Sequence, residues 1–183
     1  MLIAAQKQKE NIAEYLLYMF QIEEIIRMFQ LDLEKLMTTF IEPSIPNPSY
    51  LNHYREWYAD MIRQMKVSGL EKEGHVEAVR EVILELIYLH NTLLTIVNDE
   101  KYKTLCDNSA TSLNEFREKS KMQARHDVEV LLHAMNMKLQ LKMRKQEISA
   151  ETEEALDFLR IQLAYLAREY NRMKSGEWSF GKN

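Results

Sequence analysis

Four glycines and three prolines in 183 residues leave this chain few places to turn sharply. Gly and Pro punctuate strands, turns and loops, so a chain poor in both is committed to long uninterrupted helices. The prolines are also gathered in one stretch, "EPSIPNPS". There Pro43, Pro46 and Pro48 remove backbone donors and push the residues before them out of the helical region. The sequence therefore predicts an all-α fold: one domain over 1–183, a bundle of about six helices with mostly antiparallel neighbours. The loop-like stretch 174–183, with Trp178 and Phe180, is expected to be a flexible C-terminal tail that docks back or hangs loose. At this length a domain buries about two-thirds or more of the surface of its unfolded chain.

Apolar spacing near 100° per residue places the helices. Ile12, Tyr15, Leu16, Met19, Ile22, Ile26 and Phe29 form one face, and Leu17, Phe20, Ile25 and Met28 lie outside it, so this segment needs apolar cover on several sides. The pattern continues, with a kink near Gln30 to Asp32, through "LEKLMTTFIE". A second helix begins near Tyr50 with an aromatic face that includes Tyr54, Trp57 and Tyr58. Gly69 and Gly74 frame a connector, and a third helix follows from about His75 to Asn98. Between Asp99 and Ser120 the poor helix formers of "CDNSATS" predict a break. The stretch from about Ala124 to Gln146 carries two apolar stripes, so it touches neighbours on two sides. In the last helix Ser149 is an N-cap candidate, with Glu151, Glu153 and Glu154 favouring the positive end of the helix dipole. It carries a main Leu stripe and a second stripe of Phe158, Ile161 and Tyr165.

Several functional classes lose support. The net charge of −4 offers no overall basic surface for nucleic acid. The lone Cys106 rules out an intrachain disulfide and a thiolate metal cluster. "MLIAAQKQKE" lacks the pattern of a secretory signal, and the uncharged run from Tyr15 to Ile22, bracketed by Glu14 and Glu23, is far short of the roughly 20 apolar residues of a membrane span. A cytoplasmic protein that makes no membrane contact is expected. No His has Glu three residues before it, as a di-iron bundle would need, and there is no His-Glu-x-x-His, nucleophile elbow or phosphate-binding Gly loop. His126 and His133 share a face but sit about 10 Å apart along it. No metal, no cofactor and no catalytic residue is assigned.

Two polar residues on apolar faces remain. Glu23 lies in the greasiest sector of its helix and His90 lies between Leu86 and Leu93. A buried carboxylate is costly unless paired, so an Arg, Lys or Tyr partner is expected for Glu23. For His90 the simpler reading is a core-edge ring bonded to a carbonyl or a tyrosine hydroxyl.

Three stretches, "QKQKENIAEYLLYMFQIEEIIR", "REWYADMIRQMKVSGLEKEGH" and "KQEISAETEEAL" with the later "AYLAREY", resemble a family of uncharacterised bacterial proteins classified only as a domain of unknown function. The likeness spans nearly the whole chain in the same order. It departs at Ala150, where the family's pattern has Pro, which removes a helix-start signal. The resemblance implies a bacterial, cytoplasmic, single-domain helical protein and carries no activity and no site residues.

The leading functional expectation is a non-enzymatic bundle acting through protein contacts as a homodimer, because the helices offer more apolar faces than one small bundle must hide. Its interface candidates are Leu17, Phe20, Phe158, Ile161 and Tyr165. A second reading is a small-molecule-binding or catalytic bundle with a pocket lined by Glu23, Tyr54, Trp57 and His90. A third is nucleic-acid contact through the Lys138–Lys145 face. Asp127, Glu129 and Glu118 interrupt that cationic region, and a solvated face is the preferred account of it.

Overall fold

The computed structural model of the protein describes residues 2–45 and 47–178. Among these are eight α-helices: α1 (Leu2–Glu10), α2 (Ile12–Met28), α3 (Leu33–Leu36), α4 (Leu51–Val67), α5 (Glu77–Thr95), α6 (Glu100–Lys119), α7 (Asp127–Met143) and α8 (Ala150–Lys174). The all-α class holds, and the expected six helices become eight. The difference arises at both ends of α2. Asn11 adopts an extended backbone and its side chain accepts the amides of Ala13 and Glu14, so a new helix starts there and α1 stands apart. At the other end Gln30 and Leu31 take left-handed φ values of 55° and 57°, which stop the helix outright where a kink was expected. Asp32 then caps α3 through its side chain.

A π-type turn over Met37–Ile41 and short 3-10 turns at Glu42–Ser44 and Pro48–Tyr50 lead into α4. Pro43 and Pro48 sit at the starts of these 3-10 turns, where a missing N–H costs nothing; Pro46 lies outside the described residues. After α4, Gly69 at φ 66° lets the Leu70 amide reach back to the Met65 carbonyl at 2.9 Å, closing the helix end.

The expected break in α6 is absent. Ser109, in the middle of "CDNSATS", is buried, and its hydroxyl lies within hydrogen-bonding distance of Gln162 on α8 and of the Cys106 carbonyl. The α6–α8 contact is the most extensive helix pair in the fold, and tertiary packing of this kind overrides weak intrinsic propensity.

The buried side chains form one contiguous cluster. α7 runs through it, contacting α2, α5, α6 and α8. Both of its predicted stripes contribute, Val128, Leu131 and Leu132 from one and Val130 from the other. α2 is likewise enclosed, with Ile12, Leu16 and Ile26 fully shielded and Phe20 buried. Ser149 caps α8 by accepting the Thr152 amide at 3.2 Å. Beyond Lys174 the chain returns onto α8, where Trp178 Nε1 donates to the buried Glu169 at 3.1 Å. Phe180 and the rest of the expected tail, 179–183, lie outside the described residues.

Leu131 has no exposed surface and sits on the helix that touches four others. Leu131→Ala should therefore lower stability by about 2–5 kcal/mol, measured as a fall in the urea midpoint with an unchanged denaturant slope.

Candidate functional site

The most demanding group in the interior is the Glu23 carboxylate, 0% exposed in the middle of α2. One of its oxygens accepts the Val76 backbone N–H at 2.8 Å, and the other lies 2.6 Å from His75 Nδ1. Val76 is the residue that opens α5, so the carboxylate satisfies an amide at a helix start and faces its positive dipole end. The partner is thus a histidine and a main-chain donor, where Arg, Lys or Tyr was expected. Nothing local in the sequence pairs two residues 52 positions apart, which is why His75 was not singled out. Burial, aided by the Glu23 charge, raises the pKa of the neighbouring Tyr15 above its ordinary value.

His75 stacks on Phe20 with ring centroids 4.1 Å apart. With Nδ1 turned to Glu23, Nε2 is the nitrogen left to face outward, and the ring forms part of the wall of a 540 Å³ cleft. The buried side chains of Phe20, Ile83 and Leu132 form the cleft's base, while Arg80, Lys121 and Arg125 stand at its exposed edge. His133 also lines it. Burial, together with the nearby His75, lowers the pKa of His133, against the opposing pull of Glu24.

His90 occupies a different place. It is buried, its Nδ1 lies 2.8 Å from the Tyr102 hydroxyl, and its ring meets His126 edge-on at 5.1 Å. Burial first, then the neighbouring His126, pushes its pKa down to about 4, with Asp127 opposing. Cys106 lies beyond Tyr102, and burial pushes its thiol up to about 11; Gln162 Nε2 reaches the sulfur at 3.3 Å. A thiol held protonated is a poor nucleophile, so this cluster is suited to holding α5, α6 and α8 in register.

Tyr54 and Trp57 are half-buried on α4, Trp57 edge-on to Tyr58 at 5.0 Å. Of the four residues expected to share a pocket, Tyr54 and Trp57 are neighbours on α4, while Glu23 and His90 each have surroundings of their own. The cleft beside His75, a groove between α6 and α8 and three further surface depressions are lined by none of Glu23, Tyr54, Trp57 and His90.

The five interface candidates also divide. Leu17 is half-buried against the core and Phe20 is covered by His75. Tyr165 is pinned from several sides: its hydroxyl donates to Asp99 at 2.8 Å, its ring stacks on Tyr102, and the Arg168 guanidinium lies 4.5 Å from its centroid. Phe158 and Ile161 are 40% and 43% exposed. Phe158 edges a 620 Å³ groove between α6 and α8 whose apolar lining includes Phe116, Met137 and Leu156. On the cationic face, Lys138 is buried and pairs with Glu153 at 3.0 Å and Asp157 at 3.3 Å, and Lys142 lies 3.5 Å from Glu153. These two cations are engaged by α8, while Arg144 and Lys145 remain exposed past the end of α7.

Among the described residues no helix is long and apolar enough to cross a membrane, and no group of three or more His, Cys, Asp or Glu side chains is arranged to hold a metal ion. These features define an all-helical protein with a buried carboxylate–imidazole pair beside an open cleft. Residues 1–177 match the family described as a domain of unknown function, DUF4924, and the chain belongs to that family. No curated protein and no solved structure matches the chain.

Removing the Glu23 carboxylate strands the Val76 amide and the His75 ring. Glu23→Ala should cost about 3 kcal/mol or more, and Glu23→Gln less because the amide keeps its acceptor, as read from urea unfolding at pH 7. For His90, whose native pKa lies below its ordinary 6.5, the unfolded chain takes up a proton that the fold refuses. Stability should be level above about pH 6.5 and should fall from there to about pH 4, by up to about 3 kcal/mol. His90→Gln should flatten that part of the stability–pH curve.

Proposed function

We propose that this chain is a non-enzymatic, single-domain helical protein of the bacterial cytoplasm that works through protein contacts, pairing with a second copy of itself along α8. The observation that carries this reading is the exposure of Phe158 and Ile161, one turn apart on α8, beside the groove between α6 and α8. Large apolar side chains grouped next to an apolar depression are characteristic of contact surfaces. Here the projecting side chain and the hollow are neighbours, so a two-fold axis near Phe158 lets each copy place its Phe158 in the other's groove. Such self-complementarity is what an isologous dimer requires. The charges around the groove suit the same arrangement. Lys119 lies 3.3 Å from Glu115 in its own helix, and Glu151 and Glu154 stand across the groove on α8, available to a partner's Lys119. The α2 candidates Leu17 and Phe20 are not needed in this pairing; Phe20 is buried and Leu17 is half-buried against the core.

Multi-angle light scattering at micromolar concentration should return twice the 21.8 kDa monomer mass. Phe158→Asp combined with Ile161→Asp should weaken dimerisation by about a hundredfold or more, about 2.7 kcal/mol, with helix content unchanged by circular dichroism. A monomer mass for the unaltered chain across that concentration range overturns the reading.

A further inference from the structure

The cleft beside His75 is built from groups that a contact face on α8 does not use. Its volume of 540 Å³ lies within the roughly 300–1,000 Å³ of small-molecule sites. Its carboxylates are largely committed elsewhere. On the lining, Glu129 accepts the His126 amide at 3.0 Å while holding Arg125 at 3.2 Å, and behind the wall both oxygens of the buried Glu23 are taken by Val76 and His75. Glu73 is the remaining acid on the lining. The cations are less committed, for Arg80 and Lys121 form no ion pair among the described residues. His75 adds a ring whose Nδ1 is fixed on a carboxylate, which orients its Nε2.

Beside this cationic edge the surface is apolar. On α5, Leu84 and Tyr88 follow Arg80 at one-turn steps, sharing its face over about 12 Å of helix, and both are exposed. Leu84 joins Ile83 in lining the cleft itself. A bare inorganic anion would leave that surface wet, and an uncharged hydrocarbon would leave the cations without a partner.

We propose that this cleft binds a small amphipathic anion, an alkyl chain ending in a carboxylate or a phosphate. The head group sits on Arg80, Lys121 and His75 Nε2, and the chain lies along Ile83, Leu84 and Tyr88. Charge-assisted hydrogen bonds fix the head, and apolar burial along α5 supplies the chain's affinity.

Isothermal titration of the full chain at pH 7, with ligands below their micelle-forming concentrations, tests this. Dodecanoate or dodecyl phosphate should bind at one site per chain, and whichever binds tighter names the head group. Decanol and inorganic phosphate should each bind at least about tenfold more weakly. Arg80→Gln with Lys121→Gln, both exposed side chains, should weaken the alkyl anion about tenfold or more, while Phe158→Asp with Ile161→Asp should leave it unchanged. No binding of either alkyl anion, equal binding of decanol, or indifference to the Arg80/Lys121 pair overturns the proposal. Saturable binding of a Glu-rich amphipathic peptide with neither alkyl anion bound overturns it in favour of a protein ligand.

Discussion

A carboxylate taken out of water in the middle of α2 sets the terms for the rest of this fold. Glu23 is tolerated in the interior because partners face both of its oxygens, since a buried polar group left unpaired is costly. Those partners are His75 and Val76, at the entry to α5. The satisfied state therefore exists only when α5 begins at one particular level of α2. Arg27, one turn further along α2, reinforces this by donating to the carbonyls of Leu70, at 3.0 Å, and of Gly74. The connector between α4 and α5 is thus tied to α2 by polar contacts at both of its ends. Gly74 suits this path: its φ is 89°, and a Cβ there would meet the Leu70 side chain at 2.9 Å. The cleft is a consequence of the same tie, since His75 becomes a wall only because Glu23 and Phe20 hold its ring.

A second set of polar contacts does the same for the other half of the bundle. Apolar helix faces tolerate sliding by a turn, because one Leu ridge resembles the next, whereas a buried hydrogen bond has a single register. Gln162 on α8 meets Ser109 and Cys106 on α6, His90 on α5 meets Tyr102 on α6, and Tyr165 on α8 meets Asp99 at the start of α6. Lys138 on α7 is held between Glu153 and Asp157 on α8. Each pairing satisfies a group that would otherwise be costly to bury, and together they fix how α5, α6, α7 and α8 sit along one another. Stacking and hydrogen bonding also hold Tyr165 against its own chain, while Phe158, two turns earlier, is 40% exposed.

Local chemistry was legible in advance. The aromatic face of α4, the double striping of α7, the Ser149 cap and the Gly69–Gly74 connector are each specified by residues within a few positions of one another, and they stand where their patterns placed them. Misplaced features had causes that apolar periodicity does not carry, some local and some distant. The continuity of α6 through "CDNSATS" depends on α8, more than 50 residues away in sequence. The separation of α1 depends on Asn11 preferring a cap to a helical turn, a choice that apolar periodicity does not record. Glu23 and His90 were visible as polar groups on greasy faces, and a tyrosine hydroxyl was among the partners expected for His90, but neither Tyr102 nor His75 could be picked out as the partner.

By itself the sequence determined that this protein is helical, where its prolines force turns, and which apolar stripes each helix carries, since these follow from backbone propensity and a 3.6-residue period. Tertiary structure decided which buried charge met which donor, which oily stripe its own chain covered, and which cations gathered around one cleft. Those outcomes depend on distances between residues far apart in the chain, and periodicity within a helix carries no information about how one helix is rotated and shifted against another.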